Sequence, residues 1–148
     1  MTTGFDELQN QIMAEMGQIY TETVIDHAMN PRNAGSIPGT DGCATLTGPC
    51  GDTMEIRLKV KDNKVADAAF WTDGCGTSIA CGSMATEMIK GRNVAEALAI
   101  DQSKILEALG GLPEDSLHCA LLTSNAIEAA IRDYLAVKRD PWKKAYRR

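Results

Sequence analysis

The chain has 148 residues, five of them cysteine, and a formal charge of −5. That length buries a core in one domain, residues 1–148, without disulfide staples. An odd cysteine count does not describe a disulfide framework; it describes thiols kept reduced, as in a cytoplasmic protein, and available as ligands or nucleophiles. No apolar run approaches ~18–20 residues, so no membrane-spanning helix is expected. The polar, acidic first ten residues lack the basic start and apolar run of a secretory signal. Residues 138–148 carry six Lys/Arg against Asp140, which leaves nine basic and nineteen acidic residues, net −10, in the rest. An acidic body excludes nucleic acid as the main ligand. The basic tail, 139–148, reads as a solvated end or as a strip for an acidic partner.

Along residues 5–29, Leu8, Ile12, Met16, Ile19, Thr23 and His27 recur at three- and four-residue steps, the period of an amphipathic helix, with a weak point at Gly17. Residues 1–16 read as a flexible or helical extension. Asn30-Pro31 ends the helix, and a Gly/Pro/Asn-rich loop leads to a short strand over 43–47. Residues 54–61 alternate apolar and charged side chains, the mark of a strand with one wet face, with Met54, Ile56, Leu58 and Val60 buried. Asp62-Asn63 forms a tight turn into a third strand over 65–72. A helix capped by Thr77 or Ser78 runs to Lys90 and stops at Gly91. Two short helices follow over 93–99 and 101–109, each behind a capping residue. Gly110-Gly111-Leu112-Pro113 breaks the chain, and Ser116 caps a long last helix with Ala120, Ile127, Ile131 and Tyr134 on one face. The expected fold is α+β: a three-stranded antiparallel meander against five or six helices, with long helices at both ends.

The chemistry centres on Thr47-Gly48-Pro49-Cys50-Gly51-Asp52-Thr53. A thiol and a carboxylate stand two residues apart at a turn, with Gly51 giving the freedom to aim both at one centre. Cys75 lies between two glycines at a strand-to-helix corner, where no packing reason for a thiol is visible. Cys119 falls in the first turn of the last helix, where free amides and the helix dipole are expected to lower its pKa. Its neighbour His118 can serve as ligand, proton carrier or hydrogen-bond donor. Cys81 shares a helical stripe with Met84, Ala85 and Met88 and reads as core; Cys43, on a short strand, reads as structural.

No Cys-x-x-Cys occurs, which argues against zinc ribbons, thioredoxin-type pairs and sequential ferredoxin motifs. The ligands must converge from three chain-distant corners. Three thiolates and one carboxylate suit a labile [2Fe–2S] unit, since a hard oxygen weakens the hold on one iron. The same donors also make a tetrahedral zinc site. A Cys/His hydrolase is disfavoured, because adjacent helical residues do not face each other.

The chain resembles the IscU-type iron–sulfur cluster assembly scaffolds, including the amino-terminal domain of NifU. The resemblance runs from Ile19 to Lys138. It is carried by Tyr20, Val24-Ile25-Asp26-His27, Asn30-Pro31-Arg32-Asn33-Ala34-Gly35, Gly48-Pro49-Cys50-Gly51-Asp52, Asp73-Gly74-Cys75-Gly76, Met88-Ile89-Lys90-Gly91, Leu117-His118-Cys119 and Ala129-Ala130-Ile131. It implies a stand-alone scaffold, not a turnover enzyme, that takes sulfur from a pyridoxal-phosphate cysteine desulfurase, binds iron, and passes a [2Fe–2S] cluster to apo-proteins or carriers. Cys50, Asp52, Cys75 and Cys119 would be the ligands, His118 an alternative one, and zinc an occupant of the cluster-free form. Cys119 would accept persulfide sulfur first and Cys50 next. Many bacterial members carry Leu-Pro-Pro-Val-Lys where this chain has Leu112-Pro113-Glu114-Asp115-Ser116, so the resemblance leaves an Hsp70-type chaperone an open partner. It leaves monomer or homo-oligomer open as well. The rival is a zinc-bearing sulfur acceptor of SufU type, against which His118 and the short 91–117 segment count.

Overall fold

A computed structural model describes residues 4–142; most of the basic tail lies outside them. The elements are α1 (Gly4–Ile19), α2 (Glu22–Met29), β1 (Gly42–Thr47), β2 (Thr53–Lys61), β3 (Lys64–Thr72), α3 (Gly76–Ile89), α4 (Val94–Leu98), α5 (Gln102–Leu109) and α6 (Leu117–Arg139), with a 3-10 turn at Glu114–Ser116 before α6. The sheet is the expected antiparallel meander, order β1-β2-β3. Asp62 and Asn63 turn β2 into β3 with φ of 53° and 63°, the positive values an Asp-Asn hairpin tolerates. Met54, Ile56 and Leu58 are fully buried under the helices, while Glu55, Arg57 and Lys59 point the other way. No helix among the described residues is long and apolar enough to cross a membrane.

The first predicted helix is two helices. Thr21 ends one and caps the other: its Oγ1 accepts the Val24 N–H at 3.1 Å and donates to the Leu109 carbonyl at 2.5 Å. The break therefore falls at Tyr20–Thr21 and not at Gly17, since Thr21 is held by a partner 88 residues away. From Gly4 the extension is helical, and Leu8 and Ile12 on it, with Ile19 at the end of α1, stay exposed. Asn93 and Asp101 cap α4 and α5 as expected, Asn93 in a reciprocal box with Glu96. Two predicted caps are corrected. The residue at the cap of α3 is Cys75, ahead of Thr77 and Ser78, and Ser116 precedes α6 without a side-chain capping bond.

Helix α3 is the middle of the molecule, packed among α2, β3, α5 and α6. Nine of its residues are buried, most of them small, because neighbours approach from several sides. Gly82 shows how closely: a Cβ there would stand 2.4 Å from Phe70 Cδ2. Alanine is favoured over glycine in a helix by about 1 kcal/mol, whereas overpacking costs about 1–3 kcal/mol. Packing against the buried Phe70 ring decides the sign. Gly82→Ala is expected to destabilise the fold by roughly 1–2 kcal/mol, read as a lower urea midpoint at unchanged m-value.

Candidate metal and sulfur site

Three corners of the fold meet at one end of the sheet. The β1–β2 turn is closed by Gly48 N–H to the Asp52 carbonyl at 2.8 Å and Gly51 N–H to the Gly48 carbonyl at 3.0 Å. Gly51 has φ of 90°, a value that suits glycine and lets Cys50 and Asp52 face the same way. The β3–α3 corner is tied to this turn by the Asp73 carboxylate, which accepts the Thr53 N–H at 2.7 Å. The third corner is the first turn of α6.

Cys50, Asp52 and His118 each offer a donor atom, all within 4.8 Å of one another. Cys50 Sγ is 3.1 Å from His118 Nε2, and Cys119 Sγ is 3.7 Å from the same nitrogen. Ser78 links the floor: its Oγ lies 3.4 Å from Asp52 Oδ2 and 3.5 Å from Cys119 Sγ. Cys75 stands at the rim. Its Sγ is 3.0 Å from Thr77 Oγ1, and it lies outside the mutual group of three, though near enough to raise the Cys119 pKa electrostatically. The structure thus draws Cys50, Asp52 and His118 into one group, joins Cys119 to it through His118 and Ser78, and leaves Cys75 beside them. Thiol, carboxylate and imidazole at this spacing are a fitting donor set for iron or zinc.

The acid strengths reverse one expectation. Burial pushes the Cys119 thiol up, and the nearby Cys75, Asp52 and Cys50 add to this, against a hydrogen bond from Ser78 that lowers it. A helix-start position does not make Cys119 a low-pKa thiol, because its side chain is 2% exposed and faces acidic neighbours. The low-pKa thiol is Cys75: burial works against its thiolate, but the Thr77 hydroxyl, the Ser78 and Thr77 amides and the Ser78 hydroxyl together overcome it. Cys81 is fully buried in the core, its thiol pushed far up by burial and then by Cys119 and Cys75. Cys43 lies on β1, where its N–H meets the Asp133 carboxylate at 2.9 Å. Neither belongs to the mutual group.

Sequence reasoning treated Ser78 only as a possible helix cap. No local signal marks it, since its partners lie 26 and 41 residues away.

The NifU-like N-terminal domain family matches residues 19–140. An Archaeoglobus fulgidus protein called iron-sulfur cluster assembly scaffold protein IscU 1 is 50% identical over 117 residues, covering 78% of this chain and 76% of the relative. The Escherichia coli protein called iron-sulfur cluster assembly scaffold protein IscU is 46% identical over 120 residues, covering 78% of this chain and 93% of its own length. Among solved structures, the amino-terminal NifU-like protein of Brucella abortus superposes with a TM-score of 0.65 at 24% identity, covering 82% of this chain and 97% of the other, which supports the fold.

Accessibility and acid strength together order the thiols. In metal-free protein at about pH 8, a small alkylating reagent is expected to modify Cys75 and Cys50 first, Cys119 more slowly, and Cys81 only on unfolding. Peptide mass spectrometry over time reads the order; Cys119 reacting as fast as Cys75 contradicts it.

Proposed function

The chain belongs to the NifU-like N-terminal domain family, and from that membership we propose that it is an iron–sulfur cluster assembly scaffold of IscU type. The observation that carries this reading is the convergence of Cys50, Asp52, His118 and Cys119 from chain-distant corners, with Cys75 at the rim. The cargo is a [2Fe–2S] cluster built from iron and sulfide. Its sulfur comes from a cysteine desulfurase of the pyridoxal-phosphate type, and its destinations are apo iron–sulfur proteins or carriers.

Cys50, Asp52, Cys75 and Cys119 form the proposed ligand set, with His118 as the competing donor. Sulfur transfer forms an S–S bond between a scaffold thiolate and the desulfurase's sulfane sulfur, while the desulfurase cysteine leaves as thiolate. Reduction of that persulfide to sulfide takes two electrons from a separate donor protein. Cys50 is exposed and Cys119 buried. Cys50 can therefore take sulfur directly, whereas Cys119, the proposed acceptor, needs local movement to uncover its thiol. A reducing cytoplasm suits this chemistry, because disulfide pairing would remove the ligands. Zinc fits the same donors in the cluster-free protein.

The test is anaerobic loading with ferrous iron, cysteine and a desulfurase. Visible absorption with about two irons and two labile sulfides per chain is expected. A colourless protein that keeps one zinc and never reconstitutes would replace this reading with a zinc-bearing sulfur acceptor. Asp52→Cys completes a four-thiolate shell and is expected to slow transfer to an apo-ferredoxin by about tenfold, the rate change produced by ~1.4 kcal/mol of added retention. Equal transfer rates for variant and parent count against the role given to Asp52.

A further inference from the structure

We propose that Ser78 is a positioning residue of this site: its hydroxyl holds the Asp52 carboxylate among the thiols and so keeps that oxygen, and not the His118 imidazole, as the partner of the sulfurs. The proposal rests on the metal-holding role given to the site above and goes beyond it, to which donor wins. Ser78 is 1% exposed, on the first turn of α3, three residues after Cys75. Its Oγ is 3.4 Å from Asp52 Oδ2 and 3.5 Å from Cys119 Sγ. One hydroxyl therefore touches side chains from the β1–β2 turn and from α6.

The corner backbone boxes this group in. A Cβ on Gly74 would stand 2.5 Å from Ser78 Oγ and 3.1 Å from Asp52 Oδ2, so hydroxyl and carboxylate share a slot that only a glycine leaves open. A serine hydroxyl has one proton to give. Of its two neighbours the Asp52 carboxylate is the better acceptor, because a thiol sulfur accepts only weakly. Asp52 otherwise follows the left-handed Gly51 on an open turn, and no other side-chain donor to its carboxylate is found among the described residues. His118 meets Cys50 at 3.1 Å, and its ring competes with Asp52 for the same centre. Groups that orient a ligand from behind in this way commonly matter nearly as much as the ligand.

The experiment uses the full chain with 15N-labelled histidine and one equivalent of zinc, read by the ring nitrogen shifts of His118. In the parent protein both nitrogens are expected at the positions of free imidazole. In Ser78→Ala one nitrogen moves to the metal-bound position. Asp52→Asn gives the same shift, and the double variant adds nothing, because the two substitutions remove one interaction. A merely structural role for Ser78 predicts independent effects and a free imidazole in Ser78→Ala. Alanine is a better helix former than serine, so the variant is expected to fold; should it not, Ser78→Gly carries the same comparison. A parent protein with His118 already bound, or a Ser78→Ala protein with His118 still free, overturns the inference and leaves the scaffold reading standing. A parent protein that takes up neither zinc nor iron ends both.

Discussion

The site depends on how closely α6 lies against β1. A Cβ on Gly42 would fall 2.5 Å from the Ala130 carbonyl oxygen and 2.8 Å from Tyr134 Cβ, so strand and helix meet at backbone distance. Asp133 on the same helix takes the Cys43 N–H of this strand at 2.9 Å, which fixes the register of the contact. From there the two elements run side by side toward the site. The strand from 42 to 47 advances about 17 Å at ~3.3 Å per residue, and the helix from 130 back to 118 advances about 18 Å at ~1.5 Å per residue. Because the two lengths agree, the turn carrying Cys50 and Asp52 arrives beside His118 and Cys119. Leu122, 7% exposed, packs under Gly48 and supports the turn from below.

Helix α3 supplies the other constraint. Its small residues let β3, α2 and α6 close around it, and this brings the β3–α3 corner to the same end of the sheet as the other two. Its first turn then faces inward with Ser78 and outward with Cys75. The Asp73 carboxylate on the Thr53 N–H and the Thr72 hydroxyl on the Thr53 carbonyl, both at 2.7 Å, lock this corner to the start of β2. Residues that carry no chemistry of their own, glycines 42, 74 and 82, therefore decide where the chemistry can assemble.

What was legible in the sequence follows from how local each determinant is. The strands, the Asp62-Asn63 turn and the Asn93 and Asp101 caps are set by neighbours within four residues, and all were readable. The thiols at Cys50, Cys75 and Cys119 stood out because of their glycine-flanked or helix-start settings. The break at Thr21 was not readable, since it is fixed by the Leu109 carbonyl far along the chain. Cys119 was misjudged as an acid for a related reason. Dipole and free amides can be read from a helix start, but burial and a ring of acidic neighbours come from other elements, and in the folded chain they prevail. Ser78 looked like a cap because its partners, 26 and 41 residues away, are invisible in a local window.

The two sides of the site differ in a way that suits exchange with other proteins. Its floor is rigid: Ser78 and Cys119 are buried at 1% and 2%, both on the first turns of helices packed into the core. Its rim is the β1–β2 turn beside Cys75, where Cys50 is exposed, Gly51 gives the backbone freedom, and the Cys50 thiol meets α6 at His118. Exchange at the buried floor requires the groups that cover Ser78 and Cys119 to move first. Exchange at the rim requires only that one exposed thiol release one imidazole, a contact worth on the order of 1 kcal/mol. A donor or recipient arriving from solvent therefore meets Cys50 and Cys75 first, while Asp52 and Cys119, tied to the same serine, stay in place beneath them.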